Sequence, residues 1–320
     1  MTSPGSPDWV RPLSSTGLDV TAVCVGGSPL GSMPENYGHE VASSDAIEFV
    51  LAILDSPIRF LDTSNGYGNG ESERRIGAGV AAYGGLPDDF LIATKVDAQG
   101  RDYSGQRVRA SVAESMQRLG LDHLPLVYLH DPEYHDFDQL SGPGGAVETL
   151  LSLRDEGVIG HVGLAGGDVR EMSRYLALGG FEVLLIHNRW TLVDHSAAEL
   201  LQQAEGLGVA LVNAAIYGGG ILADPDGGSK SYGYRPATQE TLHAISEMDR
   251  TCREAGTDLP TAALQASVND PRFSSTIVGM SRPSRLTAIV ERLSTDLPPG
   301  LLDQLADLLP AQHNWLDYQS

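Results

Sequence analysis

Arg59-Phe60-Leu61-Asp62-Thr63-Ser64-Asn65-Gly66-Tyr67-Gly68-Asn69-Gly70-Glu71-Ser72-Glu73 runs from a short apolar stretch, through a turn rich in glycine and asparagine, into an acidic segment. Acidic residues favour the first turn of a helix, where they face the positive end of its dipole. The stretch therefore predicts strand, loop and helix, with the carboxylate of Asp62 at the strand end and the phenol of Tyr67 between two glycines. Taken alone it is equally a polar turn whose aspartate accepts local backbone hydrogen bonds. Two more apolar runs tip the balance, because they too end on ionisable side chains, Lys95 and His130.

Outward from this stretch, apolar runs alternate with amphipathic segments. The pattern predicts strands over Val20–Val25, Ile58–Leu61, Phe90–Thr94, Leu126–Leu129, Gly160–Leu164, Val183–Ile186, Val209–Val212 and Thr276–Val278. Helices are expected over Ser44–Leu54, Glu71–Ala82, Gln106–Leu119, Ala146–Glu156, Val169–Leu178, Ala197–Leu207, Gln239–Ala255 and Pro283–Leu293. Several strands are continuously apolar, as when both faces of a parallel sheet are covered. Eight such alternations fit a single-domain α/β chain, a (β/α)8 TIM barrel with its core over about residues 18–295 and a C-terminal helix and tail over 296–320. A doubly wound dinucleotide fold fits less well, since Gly26-Gly27-Ser28-Pro29-Leu30-Gly31 lacks the Gly-x-Gly-x-x-Gly spacing. Residues up to about Thr16 read as a loose or surface-tied arm, and Gln312–Tyr318 as a solvated tail. The long stretches 131–145 and 217–236 read as loops at the active-site end.

With 42 acidic against 21 basic residues, the formal net charge is -21. That opposes binding to nucleic acid or to anionic membranes, both of which need a basic surface. A few local arginines and helix N-termini can still hold a phosphorylated cofactor. The two cysteines, Cys24 and Cys252, lie in apolar periodic segments and read as buried thiols. No charged-then-apolar leader opens the chain and no run approaches the ~20 apolar residues of a membrane span. The expectation is a cytoplasmic protein, a monomer or small homo-oligomer, acting on a small-molecule substrate.

In a parallel barrel all strand C-termini open at one end, so Asp62, Lys95 and His130 would meet there beside Tyr67. An ammonium within about 4–6 Å favours phenolate, so Lys95, held by Asp62, is expected to lower the pKa of Tyr67. Tyr67 would then serve as general acid or base at a carbonyl or hydroxyl oxygen, with His130 directing a ring nitrogen at that oxygen.

These residues resemble those of the aldo-keto reductases. The matching segments are Asp62-Thr63…Gly66-Tyr67-Gly68…Glu71, Ile92-Ala93-Thr94-Lys95, Leu119-Gly120-Leu121-Asp122…Val127-Tyr128-Leu129-His130, Gly157…Gly160-His161-Val162-Gly163-Leu164 and Ile277-Val278-Gly279-Met280-Ser281-Arg282-Pro283. The resemblance implies a catalytic tetrad of Tyr67, Asp62, Lys95 and His130, and NAD(P)(H) extended across the mouth of the barrel. Within the family the chain is most similar to the sugar and pyridoxal dehydrogenase branch, through Arg189-Trp190-Thr191-Leu192-Val193-Asp194 and Val212-Asn213-Ala214-Ala215. A cofactor-sensing interaction protein on the same barrel is the alternative.

The chain departs from the family in two places. Ala165-Gly166 stands where many members carry Ser-Asn, and Asn213-Ala214-Ala215 where many carry a tyrosine under the nicotinamide. Asn188, Arg189 and Asn213 are the candidates to hold the carboxamide instead. Gly219, Gly220 and Leu222 belong to a glycine-rich segment suited to wrapping a pyrophosphate with backbone N–H groups. The resemblance places Ser281 and Arg285 on the adenosine-side phosphate or ribose. Many NADPH-dependent members carry a lysine just before, where this chain has Gly279 or Met280, so the choice between NAD and NADP stays open. His123, His130 and His135 lack metal-ligand spacing, and no metal is expected.

Overall fold

The computed structural model describes residues 2–318. Eight parallel strands close into a barrel: β1 (Val23–Gly26), β2 (Phe60–Asp62), β3 (Leu91–Val96), β4 (Leu124–His130), β5 (Ile159–Gly166), β6 (Val183–His187), β7 (Ala210–Ala214) and β8 (Phe273–Gly279). β8 pairs with both β1 and β7, so no strand edge is left open. The surrounding helices are α1 (Ser43–Leu54), α2 (Glu71–Tyr83), α3 (Gly105–Leu119), α4 (Ala146–Asp155), α5 (Val169–Leu176), α6 (Ala198–Gly206), α7 (Leu259–Val268) and α8 (Pro283–Leu293).

Strand alternation sorts the side chains into two layers. Cys24, Phe60, Leu91, Ala93, Leu126, Tyr128, Ala165, Leu185, Val212 and Ile277 fill the barrel. Val25, Leu61, Ile92, Val127, Leu129, Leu164, Ile186 and Leu211 face the helices. Asp62, Lys95, His130 and His187 stand two residues beyond Phe60, Ala93, Tyr128 and Leu185, on the inward parity at the C-terminal ends. The register of the sheet thus gathers the polar groups at one mouth.

Three segments depart from the sequence expectation. The first strand breaks at Ala22: Asp19–Thr21 pairs antiparallel with Val10–Pro12, and only Val23–Gly26 joins the barrel. Leu13 and Val20 of this hairpin are buried in the barrel interior, and Arg11 donates to the carbonyls of Phe273 and Val268 at 2.9 and 2.8 Å. The arm is therefore a built part of the fold. Second, α7 follows the expected helix Gln239–Glu254 and is buried on nearly every side, so it lacks the amphipathic period that marks a surface helix.

The third departure is the tail. Both carboxylate oxygens of Asp317 accept from Arg189 at 3.1 Å, and Oδ2 also accepts from the N–H of Val169. The Leu316 N–H donates to Asp194 at 2.8 Å, and Arg235 donates to the Leu316 carbonyl at 3.1 Å. A buried ion pair with both side chains under a tenth exposed pins this segment to the rim of the mouth.

Candidate active site

Lys95 is the centre of the cluster. Its ammonium, almost wholly buried, donates to Asp62 Oδ1, to the Thr63 carbonyl at 2.7 Å and to the Tyr67 hydroxyl at 3.3 Å. All three donors of the amine are thereby used, and the amine has one orientation. The glycine-rich turn after β2 allows the phenol to reach back over the strand ends. Gly68 has φ +58, and a Cβ there would strike the Gly31 backbone, so the close approach requires glycine. The Tyr67 and His130 rings meet edge to face, with centroids 5.6 Å apart.

The electrostatics differ from the sequence expectation at one point. Burial holds the Tyr67 phenol well above its usual pKa, and the charges of Asp62, Asp131 and Asp97 push the same way. Asp62 is itself raised by burial, against the opposing pull of Lys95. With the ammonium shared with a carboxylate, the expected lowering of the Tyr67 pKa does not result: the resting group is a protonated phenol.

His130 sits among carboxylates. Its Nδ1 lies 2.7 Å from Asp97 Oδ1, and its Nε2 lies 3.7 Å from Asp131 Oδ2. Burial pulls its pKa down, but Asp131 and Asp97 outweigh that and raise it to about 8. Asp131 Oδ1 in turn lies 3.8 Å from His187 Nε2. Glu133 Oε1 accepts from the N–H of Gly167 at 2.6 Å. A Cβ at Gly166 would fall 2.6 Å from Glu133 Oε2, so the missing side chain at 166 makes room for that carboxylate. Asp131, Glu133 and His187 each bring a ligand-type atom within 4.8 Å of the others, a grouping that the spacing of the histidines does not reveal.

The backbone is unusual at the same rim. Asp131, Asn188 and Ala215 take positive φ values of 44°, 60° and 52°, each directly after the last residue of β4, β6 or β7. Asp and Asn tolerate this conformation; for alanine it costs on the order of 1 kcal/mol or more.

The candidate cofactor residues separate into two groups. Asn188 is fully buried, its Nδ2 lies 3.1 Å from His187 Nδ1, and its Oδ1 has no hydrogen-bond partner among the described residues. Ser281 is buried beside His39 at the end of β8, and Arg282 and Arg285 are exposed at the N-terminal turn of α8 with no ion-pair partner among the described residues. Gly219 and Gly220 are exposed at φ 80° and 106°, where no other residue fits without strain. These features suit a ligand bearing phosphates and an amide.

Three candidates are otherwise engaged. The Arg189 guanidinium is committed to Asp317. Asn213 points away from the mouth, because Val212 and Ala214 take the inward positions; its amide donates to the Trp190 carbonyl at 2.9 Å and to Ser267 of α7 at 2.8 Å. The Leu222 side chain is buried with Val193, Ile221 and Tyr232, and its N–H donates to the Tyr217 carbonyl at 3.2 Å. Asp97 and His187 escape the sequence reading. The available signal is parity: residue 97 follows Lys95 by two, and residue 187 follows Leu185 by two.

A closed parallel barrel thus gathers an acid, an amine, a phenol and an imidazole at its C-terminal mouth, a set of groups able to pass a proton to or from a small molecule. The aldo/keto reductase family model matches residues 22–309, and the chain belongs to that family of NAD(P)-dependent oxidoreductases. It is 30% identical to the L-galactose dehydrogenase of Arabidopsis thaliana, over 95% of each chain. It is 29% identical to a D-threo-aldose 1-dehydrogenase of a Pseudomonas species, covering 92% of this chain and 95% of that one. Identity to the pyridoxal 4-dehydrogenase of Microbacterium luteolum is also 29%, over 90% and 94%. In fold, the chain superimposes on an aldo-keto reductase from Bacillus halodurans, solved in its holo form, with a TM-score of 0.76 at 21% identity over 95% and 96% of the two chains. No helix among the described residues is long and apolar enough to cross a membrane.

Proposed function

We propose that this protein interconverts a hydroxyl and a carbonyl on an aldose, a pyridoxal-like compound or a related small substrate, with Tyr67 as general acid and base. The observation that carries the reading is the bridging ammonium of Lys95, bonded to the Asp62 carboxylate and 3.3 Å from the Tyr67 oxygen.

The nicotinamide group, when bound, supplies or accepts the hydride. Arg282, Arg285, Ser281 and the N-terminus of α8 would take the adenosine-side phosphate or ribose of the dinucleotide, Gly219 and Gly220 would approach its pyrophosphate, and Asn188 Oδ1 would accept from the nicotinamide carboxamide. Everything else falls to the side chains. In the reducing direction Tyr67 releases its proton to the substrate oxygen. The charge left on the phenol oxygen is then met by the ammonium of Lys95, which Asp62 keeps in place. In the oxidising direction the same oxygen takes up the hydroxyl proton. Because the neutral phenol is strongly favoured at rest, the stabilising groups act mainly on the state in which proton and charge are in transit, which is where stabilisation raises the rate.

Sugar-like substrates agree with the relatives' names and with a mouth edged by the acceptors Asp131 and Glu133. The test is nicotinamide absorbance with NAD+ and with NADP+ against L-galactose, L-fucose, D-arabinose and pyridoxal, and the reverse reaction with simple aldehydes. Turnover of at least one substrate is expected. Tight cofactor binding with no turnover on any of them would contradict the proposal and favour a cofactor-sensing role.

A further inference from the structure

Asp97 leaves β3 two residues after Lys95, and its carboxylate reaches two catalytic candidates at once. Oδ1 meets His130 Nδ1 at 2.7 Å. Oδ2 accepts from the N–H of Gly66 at 2.7 Å and from the Ser64 hydroxyl, both on the turn that carries Tyr67. The approach is close: a Cβ on Gly66 would lie 2.9 Å from Asp97 Cγ. The Asp97 backbone is fixed in turn by α3, with its N–H donating to Ser111 Oγ at 3.3 Å and its carbonyl accepting from Arg107 at 3.2 Å.

We infer that Asp97 is the positioning residue of this site: it orients His130 by binding Nδ1, which leaves Nε2 without a hydrogen bond among the described residues and available to the substrate oxygen, and it couples the ring mechanically to the turn bearing Tyr67. The inference rests on the oxidoreductase reading above. A carboxylate only accepts, so the Nδ1 facing it must carry a proton. In a neutral ring Nε2 would then be an acceptor, of no use to a substrate carbonyl. A second proton makes Nε2 a donor, and the neighbours decide whether it stays.

The groups facing the ring are Asp97 from β3, Asp131 beyond β4, Lys95 from within the barrel, and the neutral edge of Tyr67, with Asp62 behind Lys95 and His187 behind Asp131. Two carboxylates act on His130 directly, whereas the ammonium of Lys95 is shared with Asp62. The outcome favours imidazolium up to about pH 8 instead of the usual 6.5. Asp97 responds in the opposite sense: burial raises it, but His130 together with the hydrogen bonds from Ser64 and Gly66 outweighs burial, and its pKa is lowered. The His130 ring also stands beside the phenol that must briefly carry charge.

The titration of His130 by NMR in the free protein tests this without substrate or cofactor. In the wild type, His130 should titrate near pH 8 with Nδ1 protonated on both sides of the transition. In Asp97→Asn, which keeps an oxygen for Gly66, the midpoint should fall by about one unit. The alkaline limb of kcat/KM for carbonyl reduction should shift by the same amount, with kcat down about tenfold or more and KM within about twofold. A wild-type midpoint at or below the ordinary histidine value of about 6.5, an unmoved midpoint in the variant, or a higher KM with kcat and the pH limb unchanged would overturn the inference. Should the variant fail to fold, the wild-type midpoint and tautomer decide alone, and a neutral ring protonated on Nε2 counts against it. Absence of turnover on every sugar would sink the functional proposal, while the titration would still decide the role of Asp97.

Discussion

The two sides of the barrel mouth are held together differently. On the side of β2, β3 and β4, polar side chains find partners close along the chain: Lys95 with Asp62 and Tyr67, and Asp97 with Ser64 and His130. On the side of β5 to β7, the key contacts reach further along the chain, up to 128 residues. Arg189 pairs with Asp317, Leu316 with Asp194, and Tyr232 donates to the Asn188 carbonyl at 2.6 Å from a hairpin in the loop after β7. The proton-handling side is thus complete within a short stretch of the chain, whereas the opposite rim is finished only when the C-terminal tail docks.

This contrast is open to experiment, and the largest effect is expected on the compact side. Lys95→Met leaves the Asp62 carboxylate buried without its partner, a change that costs roughly 3–5 kcal/mol when a buried pair is broken. Asp62, already raised, would rise further. The penalty is therefore greatest at high pH and is relieved as pH falls through the new Asp62 value, a slope that denaturant titration across pH would detect. Hydride transfer should fall by more than about a thousandfold, beyond the effect of stability.

On the other side, Asp317→Asn removes the charge that holds Arg189. Global stability should drop by up to roughly 3 kcal/mol, near the lower bound for buried pairs because the tail is peripheral. The tail should become protease-sensitive while the His130 titration stays unchanged. If that titration moved with the tail, the two sides would not be independent.

Substrate charge sharpens the comparison further. Asp131 and Glu133 flank the mouth, and among the described residues neither forms an ion pair with lysine or arginine. A phosphorylated or uronic-acid form of an accepted sugar should show kcat/KM lower by about tenfold or more, and Glu133→Gln should recover part of the loss. The smallest effect is expected at α8: replacing Arg282 and Arg285 by alanine should weaken NADP+ by about tenfold and NAD+ by less, read by fluorescence titration. Equal loss for both would assign the arginines to the shared pyrophosphate.

What the sequence discloses follows the same division. Eight strands, most helix boundaries, and the placing of Asp62, Tyr67, Lys95 and His130 at or just beyond strand ends are legible because apolar runs and the residues that end them are local signals. α7 is not, since a helix buried on all sides has no polar face to mark its period. The hairpin of Val10–Pro12 and Asp19–Thr21 merges by composition with β1. Arg189 reads as a free donor until Asp317, 128 residues away, is seen against it. Asn213 is a question of parity: counting by twos from Val212 and Ala214 turns it toward the helices. The electrostatics are the hardest part. A nearby lysine suggests a lowered tyrosine pKa, yet burial and the surrounding carboxylates together decide the opposite.

Removal of one oxygen atom is the most direct trial of the assignment of the proton to residue 67. Tyr67→Phe keeps the ring against His130 and leaves Lys95 bonded to Asp62 and the Thr63 carbonyl. The expected result is hydride transfer slower by ~10²–10⁴ with cofactor affinity unchanged. A variant that binds cofactor normally and turns over at the wild-type rate would show that the proton travels by another group.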